Sequence, residues 1–392
     1  MGMFGATEKP SFAVLGAGCG GQAIAGYLAL RGYDVALYNR SHSRIAAFQH
    51  RGSVELCDRI SGFGALSYIG TDLAAAIADR DVIMVVTTAN AHRPLAQEMA
   101  PHLRDGQVIL LNPGRTFGAL EVSHTICEAG CTADVVVGEA NTLIYVSRVL
   151  VPGTAVIKAI KKTVSISAVS ADDTPYLVSR LNGVYPQFTA AASFLETSLG
   201  NIGAVFHPTI ALLNKDRILS KVPFDFYRDG VTRKTARYLE KIDSERIAVG
   251  TVLGHRPLSI TKWLSSRYGL EPADVYTMLR SNPSYRNLPA PTTLDHRYLW
   301  EDVPMGLVPI SDAAGAVGVD TPAINHLIDE ASGILGRDFR NEGRTLEKLG
   351  LPRNRLKEAL ASIIAGRVIV PTRDCPDVRL CLNQPSHPTL SV

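Results

Sequence analysis

The chain has 392 residues, 46% of them hydrophobic, and its 40 basic and 37 acidic side chains leave a formal charge of +3. That length can bury a core sufficient for two or three domains. Lys and Arg are scattered and no stretch approaches the roughly 20 uninterrupted apolar residues of a membrane span, so neither nucleic acid nor a membrane is an expected partner.

Glu8 and Lys9 stand near the start, and Ala6 occupies the place where a myristoylation motif after Gly2 carries Ser or Thr; neither a secretory leader nor a lipid anchor is expected. Six cysteines, at 19, 57, 127, 131, 375 and 381, form no CxxC pair. The expectation is a cytoplasmic protein with reduced thiols and no metal site.

From Phe12 to about Pro152, short apolar runs ("FAVLG", "DVALYN", "DVIMVVTT", "QVILLNPG", "DVVVGE") alternate with amphipathic stretches. This is the βα alternation of a doubly wound parallel sheet, and the strand count fits one Rossmann domain. The segment "VIKAIKKTVSISAVSADDT" predicts one or two further strands, with Asp172, Asp173 and Thr174 opening a helix.

Within the first unit, "AVLGAGCGGQAIAGYLALRGYDVALYNRS" places Gly16, Gly18 and Gly21 between a strand and an apolar helix. The first glycine permits the tight turn, the second lets a pyrophosphate approach the backbone and the third lets helix and strand pack closely. The phosphates then meet free N–H groups at a helix N-terminus. At the end of the second strand, where an acidic residue would accept the ribose hydroxyls, stand Asn39, Arg40 and Ser41, with Arg44 four residues beyond Arg40. Arg40 can pair a 2′-phosphate bidentately and Ser41 can donate to it, so the expected cofactor is NADP(H) rather than NAD(H). Thr88, Asn112 and Gly114 end later strands on the sheet's carboxyl edge, where ligands bind, and complete the predicted cofactor contacts.

After about Ala190 apolar residues recur at spacings of three and four, as in "HPTIALLNKDRIL" and "PAINHLIDEASGIL", with no convincing strands between them. A helical second domain follows. The predicted division is 11–188 for the cofactor domain, 189–370 for the helical substrate and catalytic domain, and 371–392 for a peripheral tail. Ser281 to Pro309, with prolines at 283, 289, 291, 304 and 309, reads as loop, and a loop that long is usually functional. His207 follows an apolar run and precedes a proline suited to the first turn of a helix, which marks it as the candidate proton donor among ten histidines. His50 and His102 lie in segments that suit a surface role.

Four motifs in this order, "NPGRTFGALE", "GEANTLIYVSR", "GNIGAVFHPTIALLN" and "HRYLWEDVPMGLVP", resemble the octopine/nopaline (opine) dehydrogenase family over roughly Ser11 to Gly366. The resemblance implies an all-helical dehydrogenase domain behind the Rossmann domain. It also implies an oxidoreductase acting on CH–NH groups, by NAD(P)H-dependent condensation of an amino acid or related amine with a 2-oxo acid through an imine. It places the catalytic histidine on His207, its carboxylate partner on Asp302, the substrate-binding arginine on Arg297 and a further substrate contact on Thr142. Small-molecule substrates are implied, and the family is compatible with a monomer or a homodimer. Asp295 and Glu301 compete with Asp302 as partner of His207, and Glu301 is expected to face solvent or a structural arginine. Two other readings stay open: a reductase of a simple 2-oxo or 3-hydroxy acid, for which Lys215 would be the catalytic lysine, and an NADP-binding sensor without turnover.

Overall fold

The computed structural model describes residues 9–367. The expectations for the first residues and for the tail from 371, with Cys375 and Cys381, fall outside the described residues.

Twelve strands precede the helical half: β1 (Phe12–Leu15), β2 (Val35–Tyr38), β3 (Ser53–Asp58), β4 (Gly62–Ala65), β5 (Tyr68–Gly70), β6 (Val82–Val85), β7 (Val108–Leu111), β8 (Val136–Ala140), β9 (Tyr145–Val151), β10 (Thr154–Ile160), β11 (Val164–Ala168) and β12 (Phe188–Ala190). Eight build the main sheet in the order β12-β11-β8-β7-β6-β1-β2-β5. From β5 to β8 neighbours are parallel, whereas β11 turns antiparallel to β8 and pairs in parallel with β12. The five apolar runs of the sequence are β1, β2, β6, β7 and β8. They are apolar throughout because both faces are covered: Ala13 and Leu15 of β1 pack toward the helical half, while Phe12 and Val14 pack the other way.

A second, four-stranded sheet in the order β4-β3-β10-β9 was not visible as such in the sequence. The segment read as one or two extra strands supplies β10 to this sheet and β11 to the main one. Helix Cys19–Leu30 lies between the two sheets and buries Ala23, Ile24, Ala25 and Leu28 there.

From Phe194 onward the described residues are helical, and their extended pairing is limited to the bridge between Asp225 and Pro289. The segment expected to be loop from Ser281 to Pro309 is partly ordered into turns. It holds a 3-10 turn at Pro283–Tyr285, a helical turn at Arg297–Trp300 and a π-turn at Val303–Leu307, and helix Val308–Val317 begins inside it. Pro283, Pro304 and Pro309 occupy first turns, where a missing N–H breaks no helical bond. Helix Ile202–Leu213 starts five residues before His207, so Pro208 is interior rather than in the first turn and has no N–H for the carbonyl four residues back.

Candidate active site

Gly16 has φ +112°, and a Cβ there would stand 2.5 Å from the Val86 carbonyl oxygen; one on Gly21 would stand 1.7 Å from the Gly16 oxygen. A Cβ on Gly18, by contrast, meets nothing within 4 Å. Helix Cys19–Leu30 begins here with no side-chain cap and no acidic residue in its first turn. Uncapped N–H groups facing open space beside a turn that excludes side chains fit a dinucleotide pyrophosphate.

Asn39 shapes this loop from the end of β2. Its Oδ1 accepts from the Ala17 N–H at 3.0 Å and its Nδ2 donates to the Ser41 carbonyl at 2.9 Å. Arg40, Ser41 and Arg44 are exposed beside it, and among the described residues neither arginine has an acidic partner within ion-pair distance. At the later strand ends, Thr88 precedes the turn Ala89–Ala91 and is part-exposed. Asn112 is buried and donates to the Leu110 carbonyl at 2.8 Å. A Cβ on Gly114 would stand 2.4 Å from Glu139 Oε2, so that glycine answers to internal packing. Asn112 and Gly114 therefore contribute shape from within the protein.

In the helical half, His207 Nδ1 lies 2.8 Å from Asp302 Oδ2. Asp302 is fully buried and His207 retains 20% side-chain exposure, so the carboxylate orients the ring and Nε2 is the nitrogen left to exchange a proton with a ligand. Tyr298 stacks on the imidazole at 4.2 Å with 20° between planes and itself lies against Phe226. Asp295 is exposed in the preceding loop, and among the described residues the carboxylate within hydrogen-bond distance of His207 is that of Asp302.

Arg115 is the residue that sequence reasoning missed. It sits in "NPGRTFG" with φ +62°, and its Nη1 faces Asp302 Oδ1 at 3.3 Å, at an angle that makes an ion pair rather than a hydrogen bond. Its Nε bonds Glu301 Oε1 at 3.2 Å and its Nη1 lies 3.4 Å from Asn201 Oδ1. Glu301 does not face solvent: it is buried, accepts from the Ala89 N–H and pairs with Arg297 at 2.7 Å. The expectation of a structural arginine partner holds, and the partner is Arg115 as well as Arg297. Burial pushes the Asp302 carboxyl up, but Arg115, the His207 charge and hydrogen bond, and Arg297 together outweigh it and bring it down to about 2.

Arg344 locks the loop that carries Arg115. Fully buried, it donates to the carbonyls of Gly114 and Thr116 at 3.3 and 2.6 Å and pairs with Glu121. The Thr116 N–H donates to Met305 O, and Asn90 Nδ2 to Trp300 O, so the ends of β6 and β7 are stitched to the segment bearing Asp302. Thr142 follows β8, where Lys161 Nζ donates to its hydroxyl. Lys215 stands elsewhere, on the surface and paired with Glu330 at 2.8 Å.

A dinucleotide cradle on a doubly wound sheet, together with a histidine oriented by a buried carboxylate in the helical half, is the make-up of an NAD(P)-dependent oxidoreductase. The family model for the alpha-helical domain of NAD/NADP octopine/nopaline dehydrogenase matches residues 190–335, and that for the N-terminus of NAD-dependent glycerol-3-phosphate dehydrogenase matches residues 11–129. An opine dehydrogenase from Arthrobacter sp. (strain 1C) is 38% identical over 345 residues, 88% of this chain and 96% of that protein. Vitopine synthase of Allorhizobium ampelinum is 27% identical, covering 75% of this chain and 84% of its own. The chain belongs to the opine dehydrogenase family, and its reaction is the NAD(P)H-dependent reductive condensation of an amino acid with a 2-oxo acid. The same fold occurs in an octopine dehydrogenase solved with NADH and agmatine (TM-score 0.76, 22% identity, 91% of this chain and 98% of that one). It occurs also in yersinopine dehydrogenase with NADP+ bound (TM-score 0.71, 16% identity, 92% and 99%). Among the described residues no helix is long and apolar enough to cross a membrane.

Proposed function

We propose that this enzyme uses NADPH in preference to NADH and that His207 is its proton donor, oriented by Asp302. The carrying observation is the 2.8 Å contact between His207 Nδ1 and the buried Asp302, in the segment that Asn90 and Thr116 tie to the ends of β6 and β7. The amine adds to the 2-oxo acid to give a carbinolamine, and protonated His207 passes its proton to the departing hydroxyl, so that water leaves and a protonated imine remains. Asp302 stabilises the imidazolium and keeps its orientation. Arg297, on the rim of the cleft, aligns a substrate carboxylate with its planar guanidinium. The nicotinamide cofactor, when bound, supplies the hydride that reduces the imine to a secondary amine, leaving an N-(carboxyalkyl) amino acid. Gly16, Gly18 and Gly21 hold its pyrophosphate, Arg40, Ser41 and Arg44 its 2′-phosphate, and Thr88 lies beside its path along the strand ends. Asn39, Asn112 and Gly114 give that path its shape.

NADPH absorbance is followed with purified protein and pairs of L-amino acids and 2-oxo acids, each oxo acid alone and NADH serving as controls. Oxidation that requires both substrates, runs faster with NADPH and disappears in His207→Ala is the expected result. Oxidation with an oxo acid alone would return the protein to the simple reductases.

A further inference from the structure

Two cations on the Arg115 side of the molecule have no carboxylate beside them. Lys161, at the end of β10, is part-buried and donates to Thr142 Oγ1. Arg267, from helix Ile260–Tyr268, reaches across to the Thr163 carbonyl at 3.2 Å and hydroxyl at 2.9 Å. Among the described residues no Asp or Glu stands within ion-pair distance of either, although the field of Glu196 reaches Arg267. The charges that reach Lys161 are those of Arg267 and Arg115, both positive. Arg115 is enclosed between Asp302 and Glu301, whereas Arg297, though paired with Glu301, keeps 44% of its side chain exposed and has further N–H donors to offer. A part-buried ammonium in positive surroundings is destabilising by itself, and an anion entering the same space relieves it.

The place of this cation says which anion. Leu143, next to Thr142, packs on the dinucleotide loop: its Cδ2 lies 2.8 Å from where a Cβ on Gly20 would stand. Thr142 and Lys161 therefore belong to the cradle side of the cleft, whereas Arg297 belongs to the helical side. The carbon that is reduced has to face the cradle, and it bears the carboxylate of the 2-oxo acid directly. The carboxylate of the amino acid is two atoms further away, beyond the nitrogen and the amino acid's own Cα.

We propose that Lys161, seated on Thr142 and backed by Arg267, binds the carboxylate of the 2-oxo acid, leaving Arg297 to the carboxylate of the amino acid. The inference rests on the condensation reading above and assigns a specificity residue within it. The test is calorimetric titration of the NADPH-loaded enzyme with oxamate, a non-reducible isostere of pyruvate, beside steady-state KM values for pyruvate and for the amino acid that proves active. Losing one charge-assisted contact predicts about 10- to 100-fold weaker oxamate binding in Lys161→Met, with near wild-type binding in Lys161→Arg. The pyruvate KM rises in parallel, while the amino-acid KM stays within about twofold. Unchanged oxamate affinity in Lys161→Met overturns the assignment, as does a rise confined to the amino-acid KM, or equal loss in Met and Arg variants that melt no lower than the wild type. Failure of the condensation reading itself shows elsewhere, in wild-type enzyme that oxidises NADPH with an oxo acid alone.

Discussion

Arg115 and His207 hold opposite oxygens of one carboxylate: Asp302 Oδ1 faces the guanidinium at 3.3 Å and Oδ2 meets the imidazole at 2.8 Å. The carboxylate, itself fully buried, is thus fixed from both sides. Asp302→Asn keeps the shape but cannot stabilise an imidazolium, and its amide can select the wrong tautomer of the ring. kcat should fall about 100- to 10,000-fold, while NADPH affinity, read by fluorescence titration, stays near wild type. A fall of only twofold would remove Asp302 from the proton-transfer unit.

Removing the guanidinium has a different signature. Arg115→Met leaves Asp302 and Glu301 as neighbouring buried carboxylates with less compensation, at a cost of about 3 kcal/mol in urea unfolding at pH 7. Asp302 has a folded pKa below its unfolded one, so its contribution to stability is present above the ordinary carboxylate range and is lost as pH falls from about 4 toward 2. The gap between wild type and Arg115→Met should therefore narrow on acidification across that window. A gap independent of pH would mean that Arg115 acts by packing alone.

The dinucleotide end makes its own prediction. Arg40 and Arg44 are exposed without acidic partners, beside a loop that Asn39 ties together through Ala17 and Ser41. Arg40→Asp replaces an attractive charge by one that repels a 2′-phosphate and accepts from a ribose hydroxyl. The ratio of kcat/KM for NADPH over NADH should fall about 10- to 100-fold, mostly through the NADPH KM. An unchanged ratio would assign Arg40 to the solvated surface.

Burial explains what could be read from the residues. β1, β2, β6, β7 and β8 were legible because a parallel strand covered on both faces must be apolar throughout. β3, β4 and β9 were not, because they mix buried with exposed positions: Phe63, Val146, Leu150 and Val151 are exposed apolar residues that blur the alternation. The prolines between Ser281 and Pro309 read as breakers, yet three of them open turns, and the π-turn that follows Asp302 is set by long-range packing of Gly306 against Ala204. Arg115 and Lys161 escaped because their meaning is wholly tertiary. One lay in a motif valued for its backbone and the other in a run valued as strand. The available signal was a basic residue flanked by segments that had to be buried.

Lys161 also supplies a stability test that needs no substrate. Burial, with Arg267 and Arg115 adding to it, lowers its pKa from the usual 10.5 to about 8. A lysine whose folded pKa is depressed penalises the folded state wherever both states are protonated, here below pH 8. Between 8 and 10.5 the unfolded chain binds more protons, so stability rises with pH, and above 10.5 the penalty is gone. Lys161→Met should accordingly be more stable than wild type at pH 7, by about 1–3 kcal/mol once partial exposure is allowed for. The advantage should close as pH climbs from 8 to 10.5. Urea unfolding of both proteins at pH 7, 8.5 and 10 measures it, and a variant less stable than wild type at pH 7 would show that Lys161 is held by favourable contacts of its own rather than kept for a ligand.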